Sequence, residues 1–460
     1  MIRSLFSRTD SFIMFLSVLL VMMMMVSWTE ADYAGTVMTH TTKDVQGNSF
    51  TVMHRSKFGH SSCAEAESWF CSGCNKKIDE SSGEWCLREY TQKITGWSFN
   101  YYYYGWNPGT WINNRNGVSS GDAVIFVEGR NRSDINRPNS SPKTGILPVM
   151  RVPSNCPRNI SLLTFDPDGD NVECRFGSNP SNYECVTCTP PSVLSLSSSC
   201  SLSFSPTNSS DEDSYAVQLM MEDFPRQTIN MTYYNGSTGS ISNSSSMSRI
   251  PVQFVFKVDP AAPSCTAGEY LPRFLPPTPE HGAQFFINVT ETIEINIRAE
   301  ATQSEITELL FSGPFNMTKN SSGSGYFTLR WTPSAIDEEE SHPICFVVQA
   351  NASSSIYQSE LRCVIVTVGN IPFIATPSPP TTSVTSTTVA LPLTSTSPPP
   401  KTSRLTVLKL KISTTLSLKD NKDKIEKAIK DELIRRGLRP DIKVRLLSDG
   451  SVKVKETAAP

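Results

Sequence analysis

Charge and histidine are what this sequence has least of. Only 18% of its 460 residues are Asp, Glu, Lys or Arg, and the formal net charge is −3. A nucleic-acid or anionic-lipid partner calls for a basic footprint, and the overall balance offers none. The five histidines (His40, His54, His60, His281, His342) are scattered, with no HExxH pair, no serine-nucleophile elbow and no glycine-rich phosphate loop after a strand. An enzyme would have to be built around His54, His60 and Glu65. The acidic run Asp337-Glu338-Glu339-Glu340 is expected to be a solvated loop, because adjacent exposed carboxylates do not separate their pKa values as an acid/base pair must. No catalytic residue is assigned and a non-enzymatic protein is expected. Long apolar runs are absent with one exception, Phe12 to Trp28, which follows Arg3 and Arg8 and gives way to Thr29-Glu30-Ala31. Residues 1–31 thus have the three-part form of a secretory signal. An uncleaved anchor is the alternative, and otherwise no membrane span is expected in the mature chain.

Cysteine is plentiful. Twelve of them, Cys63, Cys71, Cys74, Cys86, Cys156, Cys174, Cys185, Cys188, Cys200, Cys265, Cys345 and Cys363, read as disulfides in an oxidising compartment. The CxxC at Cys71 and Cys74 has outer spacings that suit neither a zinc finger nor a ribbon. Eleven N-x-S/T sequons agree with secretion: Asn131, Asn139, Asn159, Asn208, Asn230, Asn235, Asn243, Asn288, Asn316, Asn320 and Asn351. If they carry glycans, partners are confined to the gaps between them.

Alternation of period two, with turn signals every few residues, runs through most of the chain. The clearest stretch is Tyr326 to Val368, where Phe327, Leu329 and Trp331 alternate before Pro333, followed by Ile344, Phe346 and Val348 and then Leu361 to Val368. Three β-rich units are expected: 32–152, aromatic-rich with four cysteines; 153–262; and 263–370. The last two have five and three cysteines, so a bridge between them is expected, and Cys156–Cys265 is a reasonable pairing. Residues 371–403 are dominated by Pro, Ser and Thr and cannot bury a core; they form a disordered mucin-like stalk that in polyproline II would span roughly 90 Å. Residues 404–460 alternate as strands around a helix capped near Asp420 and ended by Gly437. The fold class is therefore mainly β: three disulfide-stapled units, two of them β-sandwiches, then the stalk and a small C-terminal α/β (βαββ) module.

Two stretches are candidate sites. In Tyr101-Tyr102-Tyr103-Tyr104-Gly105-Trp106, continuing to Trp111, consecutive aromatics on a strand point to both faces, so some lie away from the core where sugar rings or proteins stack. The alternative is a strand packed against its neighbours. Asp166-Pro167-Asp168-Gly169-Asp170 brings three carboxylates together between two strands, as a calcium site does. Asn171 and the missing Glu depart from an EF-hand loop, and a tight turn accounts for the same residues. Calcium aside, no cofactor is expected.

DPDGD after an apolar strand, then YAVQL and EDF at 215–224, then the F-T-L-R-W-T-P strand at 327–333, resemble tandem immunoglobulin-like or cadherin-like sandwiches of animal ectodomains. The layout as a whole resembles secreted glycoproteins of bony fishes. The tail, with Asp449-Gly450-Ser451-Val452-Lys453-Val454, resembles the first half of a SEA module. Lys453 departs from that family's G-S-V-V-V cleavage site, so self-cleavage at Gly450–Ser451 is not the favoured reading. The resemblance implies a secreted or cell-surface glycoprotein binding an extracellular protein or glycan in adhesion or recognition. A structural matrix or mucosal-surface component is the alternative.

Overall fold

The computed structural model describes residues 33–369 apart from 47–48, 60–62, 64–74, 80–84, 96–100, 234 and 324, together with 443–446 and 452–455. The expected signal segment, Cys71, Cys74, the expected stalk and the expected C-terminal helix lie outside these residues. The chain divides into two compact units, residues 1–378 and 379–460.

Among the described residues the regular structure of the first unit is β apart from short 3-10 turns such as Pro180–Asn182, Ser209–Asp211 and Ala335–Asp337. Strands β1 (Thr36–Gln46), β2 (Ser49–Phe58), β3 (Asn75–Asp79), β4 (Cys86–Thr95), β5 (Tyr101–Thr110) and β6 (Ser120–Glu128) make antiparallel pairs β1·β2, β2·β4, β3·β4 and β5·β6. The short strands β7 (Asn131–Arg132) and β8 (Lys143–Gly145) lead into β9 (Val149–Pro153). Then come β10 (Arg158–Ser161), β11 (Leu163–Phe165), β12 (Asn171–Phe176), β13 (Leu194–Leu196), β14 (Ser201–Phe204), β15 (Asp213–Phe224), β16 (Ile229–Thr232), β17 (Thr238–Ile241) and β18 (Ser248–Asp259). β15 and β18 are buried on both faces along most of their length, as their near-continuous apolar runs dictate. β6 instead buries every second residue, Ala123, Ile125 and Val127.

The boundary drawn at residue 152 does not separate two sheets. Strand order β12-β15-β18-β1-β2-β4-β3, with β5·β6 attached to β18 through β6, joins residues from both sides in one ladder. Tyr33 and Gln253 couple the two sides through a 2.5 Å hydrogen bond from the phenol, and the Gln253 amide donates to the Asp122 carbonyl at 2.6 Å. Gly35, at φ +115°, runs so close to β18 that a Cβ would fall 2.2 Å from the Gln253 carbonyl oxygen. Alternation reports which face of a strand is buried; it is silent on which strand lies beside it. Between β15 and β18 the chain forms a hairpin, β16·β17, which pairs with β7.

Residues 263–370 form a sandwich of their own. One sheet is β19 (Arg273–Leu275), β21 (Ile293–Glu300), β24 (Tyr326–Trp331) and β23 (Thr318–Gly323); the other is β20 (Ala283–Ile287), β27 (Arg362–Val368), β25 (Ser341–Ala352) and β22 (Glu305–Ser312), with β26 (Ser355–Gln358) on β25. Ile295, Ile297, Leu329, Trp331, Phe346, Val348 and Val366 fill the space between them. β20 pairs with β27 in parallel, just as β9 pairs with β18, so in two successive modules an early strand lies parallel to the last. Disulfides link Cys63–Cys86, Cys156–Cys265, Cys174–Cys200, Cys185–Cys188 and Cys345–Cys363. Cys156–Cys265 ties the second module to the third.

The third module is also seated on the first. The expectation that residues 337–340 form a solvated loop is corrected for two of the four: Glu338 and Glu339 are exposed, but Glu340 and Asp337 are only 1% and 7% exposed. Arg55 reaches Glu340 at 3.0 Å and Asp337 at 3.3 Å, Lys43 reaches Glu340 at 3.2 Å, and Lys143 donates to the same carboxylate. Beside this network Gly145 lies against the Cys345–Cys363 bridge, where a Cβ would meet the Cys345 sulfur at 2.6 Å. Gly145→Ala is therefore expected to destabilise the chain by about 1–3 kcal/mol through overpacking. A calorimetric melt of the secreted protein checks this, and an unchanged Tm would mean the seam is loosely packed.

In the second unit, β28 (Lys443–Leu446) and β29 (Val452–Lys455) pair antiparallel. Residues 405–437, including the expected first strand and helix, and Gly450 and Ser451 lie outside the described residues.

Candidate functional site

The tyrosine run forms β5, and its register on β6 sets the fate of each side chain. Tyr101 faces Glu128 across the ladder, Tyr103 faces Phe126 and Tyr104 faces Ile125. Because Ile125 and Val127 point inward, Tyr101, Tyr103 and Phe126 must share the outer face. Tyr101 is 59% and Tyr103 48% exposed, and their ring centroids lie 6.0 and 5.3 Å from that of Phe126. The Arg249 guanidinium covers the Phe126 ring at 5.0 Å.

Two expected contact residues point the other way. Trp111 is 1% exposed and meets Tyr33 edge to face at 4.7 Å, so it belongs to the core. Tyr104 is half-buried against His54 and Tyr90, and its hydroxyl accepts from Arg88 at 3.3 Å. For Tyr104 the period-two pleat is the cause, since alternate residues of a strand take opposite faces; Trp111, an even number of residues from Tyr103, is turned inward by the register shift between Trp106 and Gly109. The side chains of Tyr102 and Trp106 lie outside the described residues. Of the enzyme candidates, His54 lies flat on Tyr90 at 4.6 Å inside the sheet, and burial holds its imidazole well below its usual pKa; His60 and Glu65 are outside the described residues.

The outer face continues past the aromatics. Tyr103, Phe126, Arg249, Glu222 and Glu173 occupy successive strands in one cross-strand row. Arg175 clamps Glu184 with two bonds of 2.7 Å and Glu222 at 3.0 and 3.1 Å, while Arg130 forks onto Glu128 at 2.6 and 2.8 Å. Bidentate pairs of this kind hold the face in a fixed arrangement. None of the eleven sequons falls on β5, β6, β12, β15 or β18. Asn131 is half-buried at the end of this region, and nine other acceptors are exposed elsewhere. Asn139 is the correction: it is 0% exposed, donates to Asp223 and accepts from Arg132, and has no room for a glycan.

The acidic turn is a second cluster. Asp166 Oδ1 accepts the backbone N–H of Asp168 at 2.8 Å and of Asp170 at 3.1 Å, and Gly169 supplies φ +83°, which gives the tight turn. Asp168 accepts from Arg137 and from the Ser140 N–H, both at 2.7 Å. Asp170 is held by the buried Arg132, which also reaches Asp134 at 2.7 Å. The oxygens that converge belong to Asp166, Asp170 and Asp223, all within 4.8 Å of one another. Asp168, expected in that set, is engaged by Arg137, and Asp223 from β15 takes its place. Asp166 Oδ2 has no hydrogen-bond partner among the described residues. Burial, then the neighbouring Asp223, Asp168 and Asp170, push the Asp166 carboxyl well above its usual range. Burial likewise raises Asp223 to about 7, against the hydrogen bonds from Asn139 and Ser248. A calcium ion wants six to eight oxygens; here a guanidinium already supplies Asp170 with its positive charge. Of the added residues, Phe126 is readable from the alternation of AVIFVEG, whereas Arg132, Asp223 and Arg249 arrive through non-local pairing.

No protein-family model matches the chain, and no curated protein matches it by sequence. Among solved structures it is similar to an endo-fucoidan hydrolase of glycoside hydrolase family 107, at 13% identity over 64% of this chain and 37% of that one, with TM-score 0.18. It is also similar to the human desmocollin-1 ectodomain, at 10% identity over 61% of this chain and 50% of that one, with TM-score 0.17. For the titin domains z1z2 in complex with telethonin the figures are 10%, 51%, 99% and 0.16. The chain spans well under half the length of the hydrolase. Likeness of this degree bears on neither activity nor ligand.

Proposed function

We propose that this chain is an extracellular recognition protein that binds a protein or glycan partner without catalysing a reaction on it. The observation that carries the reading is the outer face of the β5-β6 pair, free of glycan acceptors and presenting Tyr101 and Tyr103 around Phe126, with Arg249 of β18 beside it. Flat aromatic surface beside fixed charged forks suits stacking on sugar rings and on partner side chains alike. The disulfides and the surrounding exposed sequons support an oxidising, extracellular setting. Among the described residues no helix is long and apolar enough to cross a membrane. A matrix or mucosal spacer role expects these tyrosines to be packed away, and Tyr101 and Tyr103 are exposed.

The test is a glycan array run beside binding to cell surfaces, using the full secreted chain. Tyr101→Ala with Tyr103→Ala should reduce binding about tenfold or more, as loss of two aromatic anchors does, while the melt stays unchanged. Phe286→Ser, at an exposed position of the third module, serves as the control and should bind normally. Undiminished binding by the double variant would place the contact surface elsewhere.

A further inference from the structure

Where the sheet β1-β2-β4 meets the third module there is a cleft of about 50 Å³. A water takes roughly 10–15 Å³ by this measure, so the cleft accommodates about four waters or a group of about four heavy atoms. Its walls include Val37, Leu87, Pro314 and Phe315, and Lys57 lies on its β2 side.

The charges around the cleft do not cancel. Arg55 is occupied by Glu89, Asp337 and Glu340, and Lys43 and Lys143 share Glu340. Lys57 has no such direct partner: its ammonium donates to Ser312 Oγ at 2.9 Å, and among the described residues it forms no ion pair, although Glu89, bound to Arg55 in the same lining, acts on it from farther off. An ammonium has three donors, so two remain to be used. Burial, then Arg55, pull its pKa down to about 7 against the opposing pull of Glu89, so burial outweighs the nearest carboxylate.

We propose that the cleft is a second binding site, separate from the aromatic face, for the carboxylate end of an extracellular ligand, with Lys57 as counter-ion. The size limits the bound part to the carboxylate and one or two carbons, and the apolar walls accept that stem. The rest of the ligand, an acidic sugar or an acidic chain end, stays outside.

Thermal melts of the full secreted chain in acetate, against chloride at equal ionic strength, test this directly. Glucuronate and glucose form a second pair that asks whether a carboxylate on a sugar ring enters. Acetate should raise the Tm of the wild type above the chloride value, glucuronate should do the same, and glucose should not. Lys57→Met should fold, because it replaces an unpaired buried charge by an apolar side chain of similar length, and should lose the whole acetate shift. Lys57→Gln provides the same readout if Lys57→Met is not secreted. Equal melts in acetate and chloride, or an acetate shift that survives both substitutions, would overturn the site. A glucuronate failure alongside an acetate response would restrict it to unbranched carboxylates and overturn the acidic-sugar source.

Discussion

Glu340→Gln is expected to lower the stability of the chain by about 3–5 kcal/mol, the usual consequence of removing one member of a buried ion network. The substitution keeps the size of the side chain and removes only the charge. Lys143, itself 4% exposed, then loses its carboxylate, while Arg55 keeps Glu89 and Asp337. The effect should therefore be recovered in large part by adding Lys143→Met, and a double-mutant cycle on thermal melts of the secreted protein measures this. The pH dependence follows from the same contacts. Burial alone would raise the Glu340 carboxyl, but Lys143, Arg55 and Lys43 outweigh it and hold the group well below its usual range. A depressed carboxylate contributes its stability above the unfolded value, near 4.3, and loses it as pH falls through the folded value. The junction of the modules is thus expected to hold from neutral to mildly acidic pH, and the penalty of Glu340→Gln should fade only in stronger acid. A Tm unchanged by Glu340→Gln at pH 7 would show that these charges do not secure the third module.

Asp166→Asn should do the opposite and stabilise the protein at pH 7.5. Asn keeps an oxygen for the two backbone N–H groups that Asp166 Oδ1 accepts, and its amide can donate towards Asp170 and Asp223 from the position of the unpartnered Oδ2. The change satisfies a buried atom and removes one charge from a crowded cluster, a gain of about 1–3 kcal/mol. The sign with pH is definite. Asp166, Asp168 and Asp223 have raised folded pKa values, each chiefly through burial. Folding takes up protons there, so the wild type loses stability as pH rises from the unfolded carboxylate value, near 3.9, through about 7, where Asp223 titrates. Asp166→Asn should flatten part of that loss. Melts with calcium and with chelator complete the experiment. If calcium raises the wild-type Tm and Asp166→Asn both destabilises and abolishes that response, the cluster holds a cation and the arginine-clasped reading is wrong.

The strands were legible because period-two alternation and turn residues are local signals. The windows around β6, β15, β18, β21, β24, β25 and β27 could all be read from side-chain order alone. Odd cysteine counts on either side of a boundary called for a bridge across it, and Cys156–Cys265, named as a reasonable pairing, is the one formed. What could not be read was anything set by partners distant in sequence. Asp337 and Glu340 look like part of a solvated acidic loop, as Glu338 and Glu339 are, until Arg55, Lys43 and Lys143, about 200 to 300 positions away, are brought against them. Asn139 fits a glycan acceptor pattern, and only its bonds to Arg132 and Asp223 show that it is enclosed. In the candidate site the pleat decides which tyrosines face outward, and the phase of that pleat is set by pairing with β6. Tyr101 and Tyr103 could thus be named as candidates but not separated from Tyr104 and Trp111.

Placing a glycan on the outer face tests the central claim most directly. Tyr101→Asn with Tyr103→Thr removes both exposed rings and creates an Asn-Tyr-Thr acceptor in their place, on a face where the native sequence has none. Cell-surface binding of this secreted variant, with glycan occupancy and melt checked in parallel, should fall to background while the fold is retained. Full binding with the new glycan in place would contradict the assignment of the outer face of β5-β6 as the recognition surface.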